Sequence, residues 1–153
     1  MYNKDFCSYE LSKALKACGF NELTNSFYDE ASVRQGEFEI VPTYAKFNEV
    51  CRTPGCECVS APLLYHAQKW LREKKGIAIN VIAHDGGVYD YDIVFLPNAV
   101  DCDCPIDRAT FSRTYEEALS EGITSVLELI KKARNLFPVS YTHLRAHETG
   151  AYL

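Results

Sequence analysis

Two alternating runs on either side of Asp85-Gly86-Gly87 constrain this chain more than any other feature. Residues 77 to 83, IAINVIA, are rich in β-branched side chains, and residues 88 to 96, VYDYDIVFL, alternate apolar with polar. Two such runs joined by a Gly-Gly turn predict a β-hairpin. Side chains alternate along a strand, so Ile77, Ile79, Val81 and Ala83 share a face with Tyr89, Tyr91, Ile93 and Phe95 only in one register. A two-residue turn would set Val81 against Asp90 or Asp92 and bury a carboxylate. A three-residue loop, Asp85 to Gly87, instead pairs Ala83 with Tyr89 and Val81 with Tyr91, and is the one predicted. Asn80, Ile82, Asp90, Asp92 and Val94 then share the outer face, a mixed patch with two carboxylates suited to a basic partner. Asn80, Asp90 and Asp92 are the candidate partner-binding residues.

Helical spacing accounts for three further segments. Ser8 is placed to cap a helix whose Leu11, Ala14, Leu15 and Cys18 fall on one face, with Gly19 as its left-handed stop. Ser60 and Pro62 mark the start of a second, with Leu63, Ala67, Trp70 and Leu71 as its apolar face and Gly76 as its end. Thr114 and Glu117 form a capping box before the stripe Leu119, Ile123, Val126 and Ile130 of a third, which runs to about Asn135. Residues 20 to 35 show no periodicity. Glu37 to Ile40 alternate like a short strand that Pro42 closes, and CRTPGCECVSAP reads as a loop. The order helix, strand, helix, hairpin, helix lacks the strand-crossover repeat of a parallel sheet. An α+β fold follows, with helices on one face of an antiparallel sheet that has the hairpin at its centre, in a single domain over residues 1 to 138.

The chain has 153 residues, 47% of them apolar, enough for one core of its own. Sixteen basic against 21 acidic residues give a net charge of −5, the wrong sign overall for a phosphate backbone, so nucleic acid is not expected as a direct partner. No run reaches the roughly 18 apolar residues of a membrane span, and MYNKDFCSYE lacks an apolar signal core, so a cytoplasmic protein is expected. Seven cysteines, an odd count without a secretion signal, read as reduced thiols.

Cys56-Glu57-Cys58 and Cys102-Asp103-Cys104, with Cys51 nearby, supply enough thiolates for a tetrahedral zinc site. The one-residue gaps argue against it, as does a topology that sends the two loops from opposite ends of a helix-hairpin unit. His84 beside Asp85 fits turn chemistry better than acid-base catalysis. Cys58 and His66 can approach at a helix start, but nothing completes a nucleophile, base and orienter set. DCDCPID lacks the Gly and Glu of a calcium loop, and Gly86-Gly87 precedes a strand where a phosphate cradle needs a helix. No catalytic, metal or cofactor residue is therefore assigned, and no cofactor is expected.

Residues 139 to 149, VSYTHLRAHET, resemble the translation of a sequencing-library adaptor, so His143 and His147 carry no functional weight and residues 139 to 153 are expected to be a non-native tail. WLREKKGI, a hairpin, and TYEEALSEGI leading to LELI are similar to a recurrent set of short, uncharacterised proteins of gut bacteria and their phages. That resemblance spans about residues 60 to 131 and implies an accessory role. Residues 77 to 131 also resemble HicB-type antitoxins, in which a hairpin with DGG and a tyrosine-containing strand leads to a helix opened by a box like Thr114-Tyr115-Glu116-Glu117. This second resemblance implies a protein that neutralises a small basic toxin by binding it. The two preceding helical segments, the long loop from Pro97 to Thr110 and the lack of a DNA-binding segment between the last helix and residue 138 depart from that pattern. The expectation is a non-enzymatic accessory or regulatory protein-interaction domain. A HicB-like antitoxin or a cysteine-based zinc module are the alternatives.

Overall fold

A computed structural model describes residues 4–50, 57–97, 99 and 111–136. The fold is α+β, with antiparallel sheets and helices as expected. Its first helix, α1 (Tyr9–Ala17), begins where Ser8 adopts an extended backbone and its hydroxyl accepts the Leu11 N–H at 3.2 Å. Leu11 and Leu15 are buried, and the chain leaves the helix through Gly19 at φ +94°, a conformation that glycine adopts without strain.

The hairpin has the expected register. Strands β4 (Ile77–His84) and β5 (Val88–Phe95) pair Ala83 with Tyr89 and Val81 with Tyr91, around a loop of Asp85, Gly86 and Gly87. Both glycines have positive φ, +90° and +76°, which is what three residues need to reverse the strand. On the inner face Ile77, Ile79 and Tyr91 are buried, with Val81 and Ile93 packed beside them. Ala83 and Phe95, at the two ends of that face, are exposed.

Helix α4 (Tyr115–Leu136) covers the inner hairpin face with its stripe of Leu119, Ile123, Val126 and Ile130, all buried. Thr114 accepts the Glu117 N–H at 3.1 Å as predicted, while the Glu117 carboxylate reaches one residue further back than a capping box requires, to the Arg113 N–H at 3.2 Å. Gly122 sits where the helix crosses closest to the hairpin: a Cβ there would lie 2.7 Å from Ile79 Cγ2 and 3.3 Å from the Tyr91 ring.

Several elements differ from the sequence expectation. A second, three-stranded sheet of order β2-β1-β3 joins β1 (Thr24–Asp29), β2 (Glu37–Ala45) and β3 (Cys58–Ser60), so the hairpin forms its own two-stranded sheet. Strand β2 does not end at Pro42. It bulges there: Thr24 pairs with Ala45 and Ser26 with Ile40, and the extra β2 residues around the proline, which has no N–H to pair, loop out of the ladder. A short helix, α2 (Phe47–Val50), follows. Ser60 does not open the next helix, because it lies in β3 and its N–H is donated to Asn48 Oδ1 at 2.8 Å. That helix, α3 (Leu64–Trp70), starts after Leu63, runs on into a π turn over Leu71–Lys75 and stops at Gly76, φ +68°.

One core joins α1, α3, the inner hairpin face and α4, with Phe20 edge-on to Trp70 at a centroid distance of 5.3 Å. Beneath the three-stranded sheet the interior is more polar. Thr24, Ser26, Asn48 and Ser60 are buried there; the Ser26 hydroxyl donates to the Ala61 carbonyl at 2.6 Å, and Asn48 Nδ2 donates to the Phe20 carbonyl at 2.7 Å.

Candidate functional site

The outer face of the hairpin carries the residues singled out from sequence. Asn80 pairs with Asp92, Ile82 with Asp90 and Ala78 with Val94, all at positions that alternate with those packed on α4. Asn80 is exposed, Asp90 and Asp92 are half-buried, and Ile82 and Val94 each expose 40% of their surface. The face therefore mixes exposed apolar side chains with Asn80 and with two carboxylates, both on β5.

Asp90 also has a backbone role. Its Oδ1 accepts the N–H of Tyr91 at 2.8 Å. Odd residues of β5 turn their backbone groups away from β4, so this carboxylate covers a donor on the outer edge of the strand, a placement that discourages edge pairing. Further towards the turn that same edge is occupied: Tyr89 and Ser112 exchange two backbone bonds of 2.8 Å.

The bridge brings in a residue that sequence reasoning missed. Ser112 is fixed against β5, and the adjacent Phe111, 60% exposed, meets the His84 ring edge-on at 5.1 Å. His84 closes the loop by pairing with Val88, on the outer side of the hairpin. Phe111 and His84 thus extend the face to the hairpin tip. No local pattern announces this, since Phe111 precedes its helix and is placed only by a contact with a strand more than twenty residues earlier in the chain.

The remaining chemical candidates are dispersed. Cys58 is buried in β3, where it pairs with Asp29, and His66 stands on α3 with its ring edge-on to Phe20 at 5.5 Å. Burial lowers the His66 pKa, with Glu22 opposing and Lys69 reinforcing the shift. Burial raises the Cys7 thiol far above its ordinary value, and raises Cys18 as well. Cys51, Cys56, Cys102 and Cys104, the acidic loop DCDCPID and residues 139 to 153 lie outside the described residues. Among the described residues no group of three or more His, Cys, Asp or Glu is placed to hold a metal, and no helix is long and apolar enough to cross a membrane.

Comparison with family models, curated proteins and solved structures finds no match to this chain.

Proposed function

We propose that this chain is a non-enzymatic accessory domain that binds a basic protein partner through the outer face of its hairpin. The observation that carries the reading is the combination on one face of exposed Ile82, Val94 and Phe111 with the carboxylates of Asp90 and Asp92. Apolar side chains supply area to bury, and the carboxylates select for positive charge and steer it in. The similarity of residues 77 to 131 to HicB-type antitoxins narrows the partner to a small basic toxin, which an acidic protein of net charge −5 would attract at long range.

The register supplies a clean test. Asn80→Lys with Ile82→Lys places cations directly across from Asp92 and Asp90. Opposite charges across strands are neutral to favourable, so stability should change by no more than about 1 kcal/mol. The same cations repel a basic partner. Affinity capture with wild-type protein should retain a small basic protein that the double variant loses. Equal capture by both proteins would refute the hairpin face as the site.

A further inference from the structure

The two sheets present four strand edges, on β2, β3, β4 and β5, and an edge with open backbone groups is a template for another strand unless something guards it. Three of the four are guarded. On β3, Asn48 Oδ1 accepts the Ser60 N–H at 2.8 Å and the Lys16 ammonium donates to the Cys58 carbonyl at 3.2 Å. On β5, the Ser112 bridge covers Tyr89 and the Asp90 carboxylate covers the Tyr91 N–H. Strand β2 carries Glu37 and Glu39 and is broken by its bulge at Pro42.

The edge of β4 is guarded over half its length only. The Leu96 N–H donates to the Gly76 carbonyl opposite it at 2.8 Å, so even residues of β4 bond to β5 and odd residues turn their backbone groups outward. Gln68 Nε2 donates to the outward carbonyl of Ile79 at 2.7 Å. Beyond that bond, the outward N–H and C=O groups of Val81 and Ala83 have no partner among the described residues. Residues 82 to 84 are exposed, and β4 contains neither a proline nor a Lys, Arg, Asp or Glu, the residues that ordinarily keep such an edge from pairing.

We infer that this edge pairs with the same edge of a second copy of the chain, in an antiparallel ladder about a two-fold axis at Ile82. Val81 then faces Ala83 of the second copy and Ala83 faces its Val81, which satisfies every open group on both strands. Other registers do worse. One sets Ile79, whose carbonyl is already taken, against Ala83, and the next sets Val81 against Asp85 in the turn. At the axis the two Ile82 side chains, each on a residue 40% exposed, meet as a non-hydrogen-bonded pair, with Cβ atoms roughly 4.5–5.5 Å apart. Asn80 faces His84 of the second copy, so β4 brings no like charges together. The pairing rests on backbone groups, and it holds whether or not the outer face binds a basic protein.

The test is sedimentation velocity of the full chain from about 10 µM to about 1 mM, where a short ladder with a small apolar patch should give a monomer–dimer equilibrium. Ala83→Pro removes an N–H that faces away from β5, so the hairpin keeps its own ladder while the dimer loses a bond from each copy. That variant should stay monomeric throughout with an unchanged circular dichroism spectrum. It retains Asn80, Ile82, Asp90 and Asp92, so capture of a basic protein by it tests the outer face separately. Ile82→Cys reads the register: mild oxidation should join two chains through position 82, as peptide mass mapping would show. Asn80→Cys should crosslink at least roughly tenfold more slowly, because its two copies lie about 14 Å apart, beyond disulfide reach. A wild-type monomer over the whole range, a dimer undiminished by Ala83→Pro, or crosslinking of Ile82→Cys no faster than of Asn80→Cys would overturn the inference.

Discussion

Gly122 offers the sharpest test of the packing, because two effects of known size oppose each other at one atom. Replacing a glycine inside a helix by alanine ordinarily stabilises it by about 1 kcal/mol. Here the added methyl would sit 2.7 Å from Ile79 Cγ2 and 3.3 Å from two carbons of the Tyr91 ring. Carbon atoms in good contact lie about 3.5–4.0 Å apart, so roughly 1 Å of overlap must be relieved. Ile79 is 2% exposed, and the Tyr91 hydroxyl is held by Ser125 Oγ at 2.8 Å, so neither neighbour has open space to retreat into. Overpacking costs about 1–3 kcal/mol, and with both neighbours held in place the upper part of that range, about 2–3 kcal/mol, applies as α4 is forced to lift from the hairpin. Gly122→Ala should therefore lose a net of about 1–2 kcal/mol, or on the order of 3–6 °C in Tm. Urea unfolding followed by the fluorescence of the single tryptophan, Trp70, reads this directly. Adding Ile79→Leu, which removes the clashing Cγ2 at constant volume, should recover part of the loss, making the pair non-additive. A Gly122→Ala protein as stable as wild type or more so would refute the close crossing of α4 over β4.

Asn48→Ala should cost about 2–4 kcal/mol by urea unfolding, because it strands the Phe20 carbonyl and the Ser60 N–H in the interior. Cys7 should resist iodoacetamide at pH 8 in the folded protein and react on unfolding, as mass mapping of the peptides would show. Its raised thiol pKa means the folded state holds the proton more tightly than the unfolded one, so this contribution is complete below pH 9.0 and fades as pH rises above it. His66 has the opposite sign of linkage: its lowered pKa makes protonation destabilising, so that contribution is lost as pH falls through and below the ordinary value of 6.5, and the NMR titration midpoint of its ring should lie below 6.5. If residues 139 to 153 are the non-native tail expected from the sequence, truncation after Pro138 leaves Tm unchanged within error, and a large drop would refute that expectation.

The parts legible in the sequence are those whose buried face is apolar and local. The hairpin register followed from the need to keep Asp90 and Asp92 off the core, and α1 and α4 followed from stripes and caps. The three-stranded sheet was not legible, because its alternation is written in the wrong residue types. Thr24, Ser26 and Tyr28 alternate inward along β1, but Thr24 and Ser26 are small polar residues whose hydroxyls are satisfied by the Ser26 and Ala61 carbonyls once folded. A hydrophobicity pattern registers them as loop. Strand β3 is only three residues long and buried on all of them, so it has no period to detect. Pro42 signalled an end and produced a bulge, since β2 is an edge strand and loses no ladder bond that a neighbour on its far side would need.

The proposed hairpin surface divides along the same line. Asn80, Asp90 and Asp92 were visible as one face because strand alternation is a local rule, and the fold places them there. Phe111 joins them only because the neighbouring Ser112 bridges to Tyr89, more than twenty residues earlier in the chain, and its ring then meets His84 at the hairpin tip. A rule that reads one strand at a time cannot find such a residue, since its place is fixed by a pairing between distant segments and not by its own neighbours.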